Sequence, residues 1–506
     1  METSRAMPSS IDYTDVLPQA VPAVSRRRRF YPSNSAAFSE ATTNTIRIDI
    51  ESPNALLDAQ HSYLDFEVFN IAGAAESFGP DVGGAAVFFS SARLEQGGRV
   101  ICDIQEFQRL HAGIIYPTQM SQDGKASESI CGQNRAYNVG GAAITTQVGI
   151  AAAGPPKVEG SAYTVNNHNL NTNMAAGTRR RLTMPIPFGL FTQDKLIPLP
   201  LLKQGNPLTL VFTLGRQVDC GIWSALPGPG SLVISKVSYV ASLVEVGRDV
   251  IEQFKMIRDD MGGQLAISGQ DWEHNQGVLP ALSTGDQPIR VPARKRSIKS
   301  LFWLANSGEM ALAAGGSAIE DIYNMSFAGN ANCSQYQLKV GGMTYPPQPV
   351  QCWGNVASAA PSLANSKRAE CAMELAKAWG SLSYTSPLGS LNTITYGTTG
   401  GDAAALAAGL TGIMATGDNG GAGPSTIAPE GGSVVSSCPF GLDLEAFQHT
   451  AIESGIDSQT LAQEVNLIIT IDPAVNSGPE PKNVHIWTLY DQHYYFNADG
   501  MITFSN

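Results

Sequence analysis

The amino-acid sequence predicts an all-β protein made of two β-sandwiches in tandem, and three observations carry that prediction. Stretches in which apolar and polar residues alternate with a period of two recur along the chain, as half-buried strands require. Glycine and proline supply 51 and 30 of the 506 residues, enough to punctuate many short strands with turns. Strand-rich stretches of comparable length flank one amphipathic stretch near residue 250, which places a boundary there.

The bulk numbers agree with this class. Hydrophobic residues make up 43% of the chain and charged residues 15%, so there is ample apolar surface to bury in cores. The length accommodates two large β domains. A formal net charge of -12 excludes a protein whose whole surface neutralises phosphates, so any nucleic-acid contact must be local.

Taken in chain order, residues 1–38 read as an N-terminal arm. The arm is polar, bears Pro and Ser, and carries the basic run Arg26, Arg27, Arg28 and Arg29. Its first thirty residues hold no apolar run of signal-peptide length, so secretion is not expected. Thr45–Ile50 (TIRIDI) and Tyr63–Phe69 (YLDFEVF) then alternate as strands. Further strands are expected at Leu208–Leu214, Leu232–Val246, Ser300–Leu304, Val465–Ile471, Val484–Tyr490 and Met501–Phe504, most of them rich in Val, Ile, Leu and aromatics.

Helical spacing is rare. Ile104, Phe107 and Leu110 predict a helix over 102–111, and Val250, Ile251, Phe254 and Ile257 a connector helix over 250–257. A third is expected from Ser366, a good N-cap, to the stop at Gly380. The expected organisation is therefore an arm at 1–38, a first sandwich at 39–249, a linker helix at 250–262 and a second sandwich at 263–506. Gly/Ala-rich stretches at 140–154 and 398–432 are too long for turns and read as loops at sandwich ends, the second as a tower. A faint internal echo relates the halves: Ile46-Arg-Ile before Leu64-Asp-Phe66, and Ile289-Arg-Val before Leu301-Phe-Trp303.

No catalytic constellation emerges. Seven histidines (His61, His111, His168, His274, His449, His485 and His493) form no HExxH or HxH spacing. Gly124-Lys125 lacks the Ser or Thr and the upstream glycine of a phosphate loop, and no GxSxG elbow exists. The acidic pairs Glu320-Asp321 and Asp259-Asp260 read as solvated faces. Seven scattered cysteines without a CxxC pair indicate neither a disulfide framework nor a zinc site, and buried free thiols are expected. The longest apolar window, 403–415, is broken by Gly409 and Gly412 and is too short for a membrane helix. No catalytic, cofactor-binding or metal residues are assigned, and no cofactor is implied. Sequons at Asn324 and Asn332 matter only on the secretory route.

Three basic clusters stand out against the acidic background: Arg26–Arg29, Arg179–Arg181, and Arg294-Lys295-Arg296 with Lys299. For Arg26, Arg27, Arg28 and Arg29, contact with neighbouring subunits competes with a merely solvated tail. For the other two, surface salt bridges or subunit contacts are expected ahead of phosphate binding, since no aromatics interleave around Arg179 to stack bases.

At this point the sequence meets a known family. RFYPSNSAAFS (29–39), the strand at 45–50, Ala55-Leu-Leu-Asp58, the strand at 63–69, Arg93-Leu-Glu-Gln-Gly-Gly-Arg-Val100 and Gly189-Leu-Phe-Thr-Gln-Asp-Lys-Leu-Ile-Pro-Leu-Pro200 resemble, in pattern and order, the start of major capsid proteins from virophages and polinton-like viruses. The resemblance is strongest over residues 29–215 and weak afterwards. It implies two jelly rolls side by side, a double jelly roll, with three chains forming a pseudo-hexagonal homotrimer that tiles the icosahedral capsid of a double-stranded DNA virus. It further implies trimer–trimer contacts, penton and minor capsid partners, an inward-facing arm touching genome or inner layer, no small-molecule substrate, and synthesis in the host cytoplasm or nucleus. Two other readings remain open: a glycan-binding or adhesin-like β-sandwich, and a β-sandwich glycoside hydrolase.

Overall fold

The computed structural model describes residues 23–71, 78–80, 84–115, 118, 174, 176–193, 195–217, 219–223, 228, 230–307, 333–352, 369–380, 439–446, 455–459, 464–471 and 481–505. Both Gly/Ala-rich loops, Gly124-Lys125, Glu320-Asp321 and the two sequon asparagines lie outside the described residues.

Strands of the N-terminal half are β1 (Ala23–Phe30), β2 (Ala37–Phe38), β3 (Thr45–Ile50), β4 (Ala55–Asn70), β5 (Phe78–Pro80), β6 (Phe89–Gln96), β7 (Arg99–Gln105), β8 (Arg179–Met184), β9 (Leu208–Leu214), β10 (Gly221–Trp223) and β11 (Leu232–Val246). Those of the C-terminal half are β12 (Gln264–Leu279), β13 (Gly285–Arg290), β14 (Ile298–Ser307), β15 (Cys333–Val340), β16 (Met343–Gln351), β17 (Phe440–Asp443), β18 (Val465–Ile471), β19 (Lys482–Asn497) and β20 (Ile502–Ser505). Among the described residues four α-helices accompany them: α1 (Phe107–Leu110), α2 (Gly189–Thr192), α3 (Arg248–Asp260) and α4 (Ala369–Ala378).

Every strand pair is antiparallel, and the two halves repeat one topology. In the first half the sheets run β1-β11-β4-β8 and β3-β9-β6-β7; in the second they run β12-β19-β14-β17 and β13-β18-β15-β16. Setting aside the short β2, β5 and β10 and the terminal β20, the described residues of each half form eight strands. Ranked along the chain, both halves read 1-8-3-6 and 2-7-4-5. That order is two Greek keys closed into a sandwich, so each half is a jelly roll. The echo in the sequence falls on equivalent strands, β3 with β13 and β4 with β14.

The cores follow from the alternation. Ile46, Ile48 and Ile50 of β3 are fully buried while Arg47 between them is exposed. In the first sandwich Phe66 of β4 meets Phe89 of β6 edge-on, ring centres 5.3 Å apart, and Phe89 meets Phe212 of β9 at 5.2 Å. In the second, Trp303 of β14 stacks on Phe440 of β17 at 4.0 Å and lies edge-on to Tyr336 of β15 at 5.6 Å. Each cluster ties one sheet to the other, and each buried ring contributes about 1.5–3 kcal/mol. The linker α3 buries none of its residues.

Two expectations need correction. Residues 102–105 belong to strand β7, where Cys102 and Ile104 are buried and pair with Leu94 and Ala92 of β6. The helix begins only at Phe107, after Glu106 takes a left-handed conformation (φ 50°). Three apolar residues at intervals of three had satisfied a helical stripe by coincidence, and pairing overrode it. Within the span 1–38 expected as an arm, the described residues include strands. Ala23–Phe30 forms β1, paired along its whole length with β11, and Ala37–Phe38 forms β2. Four consecutive arginines mask the alternation that betrays a strand, yet an edge strand tolerates charge on both faces.

Candidate assembly surfaces

The first two basic clusters, some 150 residues apart in sequence, meet on one sheet. β1 and β8 form opposite edges of β1-β11-β4-β8, and their arginines reach inward over its outer face. On β4, Asp65 and Glu67 point to that face and Leu64, Phe66 and Val68 to the core. Arg29 Nη1 donates to Asp65 Oδ2 (2.6 Å) and to Ser238 Oγ (2.8 Å), while Arg181 Nε donates to Asp65 Oδ1 (2.7 Å). One carboxylate is thus gripped from both edges of the sheet. Glu67 receives Arg179 and Lys236, each at 2.9 Å. Lys236 sits at a bulge of β11 with φ 51°, and the bulge re-aims its side chain. Arg27 donates to the Tyr63 hydroxyl, Arg28 lies over Phe30, and Arg26 pairs with Glu245 at 3.1 Å.

Burial pushes the Asp65 carboxyl up, but the hydrogen bonds and charges of Arg181 and Arg29 outweigh it, holding the carboxyl below its ordinary 3.8. Glu67 is likewise lowered, chiefly by its bond from Lys236. The alternation of YLDFEVF already placed these two acids on a polar face. Nothing local named their partners.

The third basic cluster is used within the second sandwich. Lys299 pairs with Glu445 (2.8 Å) and Asp491 (3.5 Å), and Lys295 pairs with Glu273 (3.3 Å) while lying over the Tyr490 ring. Arg294 and Arg296 remain exposed.

The two sandwiches share a buried seam that the sequence reading missed. Gly189 of α2 and Gly269 of β12 bring their backbones together: a Cβ on Gly189 would overlap the Gln270 carbonyl, and one on Gly269 the Gly189 carbonyl. Gln96 at the end of β6 is buried and bridges the halves, donating to the Gly500 carbonyl (2.9 Å) and accepting from the Ile502 amide (2.7 Å). Cys102 of β7 lies 3.3 Å from the Tyr494 hydroxyl of β19, and Trp487 donates its indole N–H to the Gln105 carbonyl (3.5 Å). Asp271 lies in the same region, its carboxyl pushed up to about 6 by burial.

Beside it His274 Nε2 and His485 Nδ1 are 3.1 Å apart on the neighbouring strands β12 and β19. Burial first, and the charge of Arg109 second, lower them to about 4 and about 2. Both rings are therefore neutral near pH 7, one donating to the other. Of the remaining histidines, His61 pairs with Asp58 (2.9 Å), His493 contacts Ser268 (2.9 Å), and burial lowers His111 to about 4. His168 and His449 lie outside the described residues. Among the described residues no group of three His, Cys, Asp or Glu is placed to hold a metal ion, and no helix is long and apolar enough to cross a membrane. Cys102, Cys220, Cys333, Cys352 and Cys371 are buried thiols.

With this geometry established, comparison with known proteins is informative. No protein-family model matches the chain, and no curated protein matches it in sequence. Solved structures do. The capsid of the virus PBCV-1 aligns with TM-score 0.56 at 11% identity, over 98% of this chain and 99% of that one. A Sputnik virophage chain aligns with TM-score 0.51 at 10% identity, over 100% and 93%. The Faustovirus major capsid protein aligns with TM-score 0.50 at 8% identity, over 97% and 92%. The shared fold is the double jelly roll. At such identities the likeness is one of architecture, and it spans both halves, including the second half where the sequence matched little.

Proposed function

We propose that this chain is a structural shell subunit, a major capsid protein that associates as a homotrimer of pseudo-hexagonal outline and tiles an icosahedral viral capsid. The observation that carries this reading is the same eight-strand order found twice in one chain, in an architecture that aligns over nearly its full length with a viral capsid chain. Two sandwiches per chain give six per trimer, and six equal bodies around an axis make a near-hexagon that tiles. The division into sandwiches on either side of a linker at 250–262 belongs to this reading, as does the absence of catalysis.

Assembly is then physical work. Obligate interfaces bury roughly 2,000 Å² or more, so burial drives association and symmetry sets the product. Penton and minor capsid proteins are the further partners of this proposal, and the virion its location. Arg26, Arg27, Arg28 and Arg29 are assigned to contact rather than to chemistry.

Light scattering behind size-exclusion chromatography, with negative-stain images, tests the reading. The expected species has three times the 53.5 kDa mass of the chain and a hexagonal outline. A monomer at all concentrations would overturn it and redirect attention to glycan binding.

A further inference from the structure

The outer face of the sheet β1-β11-β4-β8 sorts its charges by depth. The carboxylates lie beneath: Asp65 and Glu67 side chains are 3% and 14% exposed. The cations lie on top: Arg29, Arg179, Arg181 and Lys236 are 35%, 52%, 61% and 68% exposed, and Arg27 extends the set along β1. What a partner would meet is a cationic surface on a chain of net charge -12.

The arginines are also fixed in place. A free arginine loses rotamer entropy when it is ordered. Here the sunken acids have already ordered them. Arg29 spends only Nη1 on Asp65 and Ser238, and Arg181 spends Nε and Nη2 on Asp65. Each keeps N–H donors for a second acceptor.

We propose that this face is a contact between copies of this chain, its outward guanidinium groups receiving surface carboxylates of a neighbouring copy. The inference deepens the assembly reading and rests on it. Two observations favour a second copy over other acidic partners. The chain is strongly acidic away from this face, so a neighbour offers the complementary charge; around a closed ring such a contact joins two different patches, one basic and one acidic. The aromatic rings on the face, Tyr63 and Phe69, are already capped by Arg27 and Arg179 at 5.7 and 4.3 Å, which leaves no open platform for stacking bases.

The test is sedimentation velocity on wild type and on the double charge reversal Arg27→Glu with Arg179→Glu, chosen because neither arginine touches the Asp65 grip. Runs at roughly 0.1 M and roughly 1 M salt, between which the screening length shrinks from about 10 Å to about 3 Å, follow both the monomer-to-trimer step and further assembly. The expected result is at least a tenfold weakening of one step in the variant and a salt dependence present in wild type and diminished in the variant, with an unchanged far-ultraviolet circular dichroism spectrum showing that the fold survives loss of the Arg179–Glu67 pair. The conservative pair Arg27→Lys with Arg179→Lys should retain most of the association. Assembly unchanged by the reversal at either salt overturns the proposal while leaving the capsid reading intact. So does a variant that assembles normally but loses affinity for a duplex DNA probe, which would make the face a phosphate surface. A wild-type chain that never leaves the monomer overturns the capsid reading itself.

Discussion

Strands β4 and β14 hold the same place in their two sandwiches, yet their middle residues meet opposite fates. In the echo Leu64-Asp-Phe66 the central Asp65 is held between Arg29 and Arg181. In Leu301-Phe-Trp303 the central Phe302 lies between the indoles of Trp272 and Trp379, centroids 5.6 and 4.5 Å away. Leu301 to Ala305 is a continuous apolar run, every residue fully buried, the pattern of a strand covered on both faces. β4 alternates instead. Topology fixes where a strand lies, while its side chains decide whether the outer face is covered by aromatic rings or by charged side chains.

The sharpest way to break this comparison is Phe302→Ala. Removing a fully buried ring leaves a cavity between two indoles and should cost about 3–5 kcal/mol, read as a lowered denaturant midpoint with unchanged slope. A loss below about 1 kcal/mol would mean that β14 is not covered as described. Next in size is Gly269→Ala, which forces the seam apart and should cost roughly 1–3 kcal/mol. Melting of the two sandwiches as separate transitions in calorimetry would mark the seam as what couples them.

Asp65→Asn should cost less, about 1–2 kcal/mol, because its arginines are partly exposed and can be rescued by water. It also sharpens the comparison by pH. The native Asp65 carboxyl titrates below its unfolded value of 3.8. Its stabilisation is therefore complete above about 3.8 and lost as pH falls through the lower native value. Urea midpoints of wild type and variant should converge as pH falls through this range, and a constant gap would count against the grip. The smallest effect is expected for Arg27→Ala, within about 0.5 kcal/mol in the isolated chain. Its consequence belongs to association, measured by sedimentation.

Much of this protein was legible in the sequence. TIRIDI, YLDFEVF and the Leu-, Val- and Ile-bearing runs at 208–214, 232–246 and 465–471 carry a period of two because one residue in two faces a core, so they declare themselves locally. The helix near 250 did so through its period of 3.6. Where local pattern failed, pairing had overruled it: Cys102 to Gln105 became strand because β6 lay alongside, and the arginine run became β1 because β11 offered a full-length edge.

The sequence by itself determined an all-β chain, its principal strands and an echo between halves, since periodicity needs only neighbours. Tertiary structure alone decided that arginines from residues 26–29 and 179–181 converge on Asp65, that Gly189 meets Gly269, and that His274 meets His485. These partners lie tens to hundreds of residues apart. Strand pairing and the docking of the two sandwiches bring them together, and no local repeat records either.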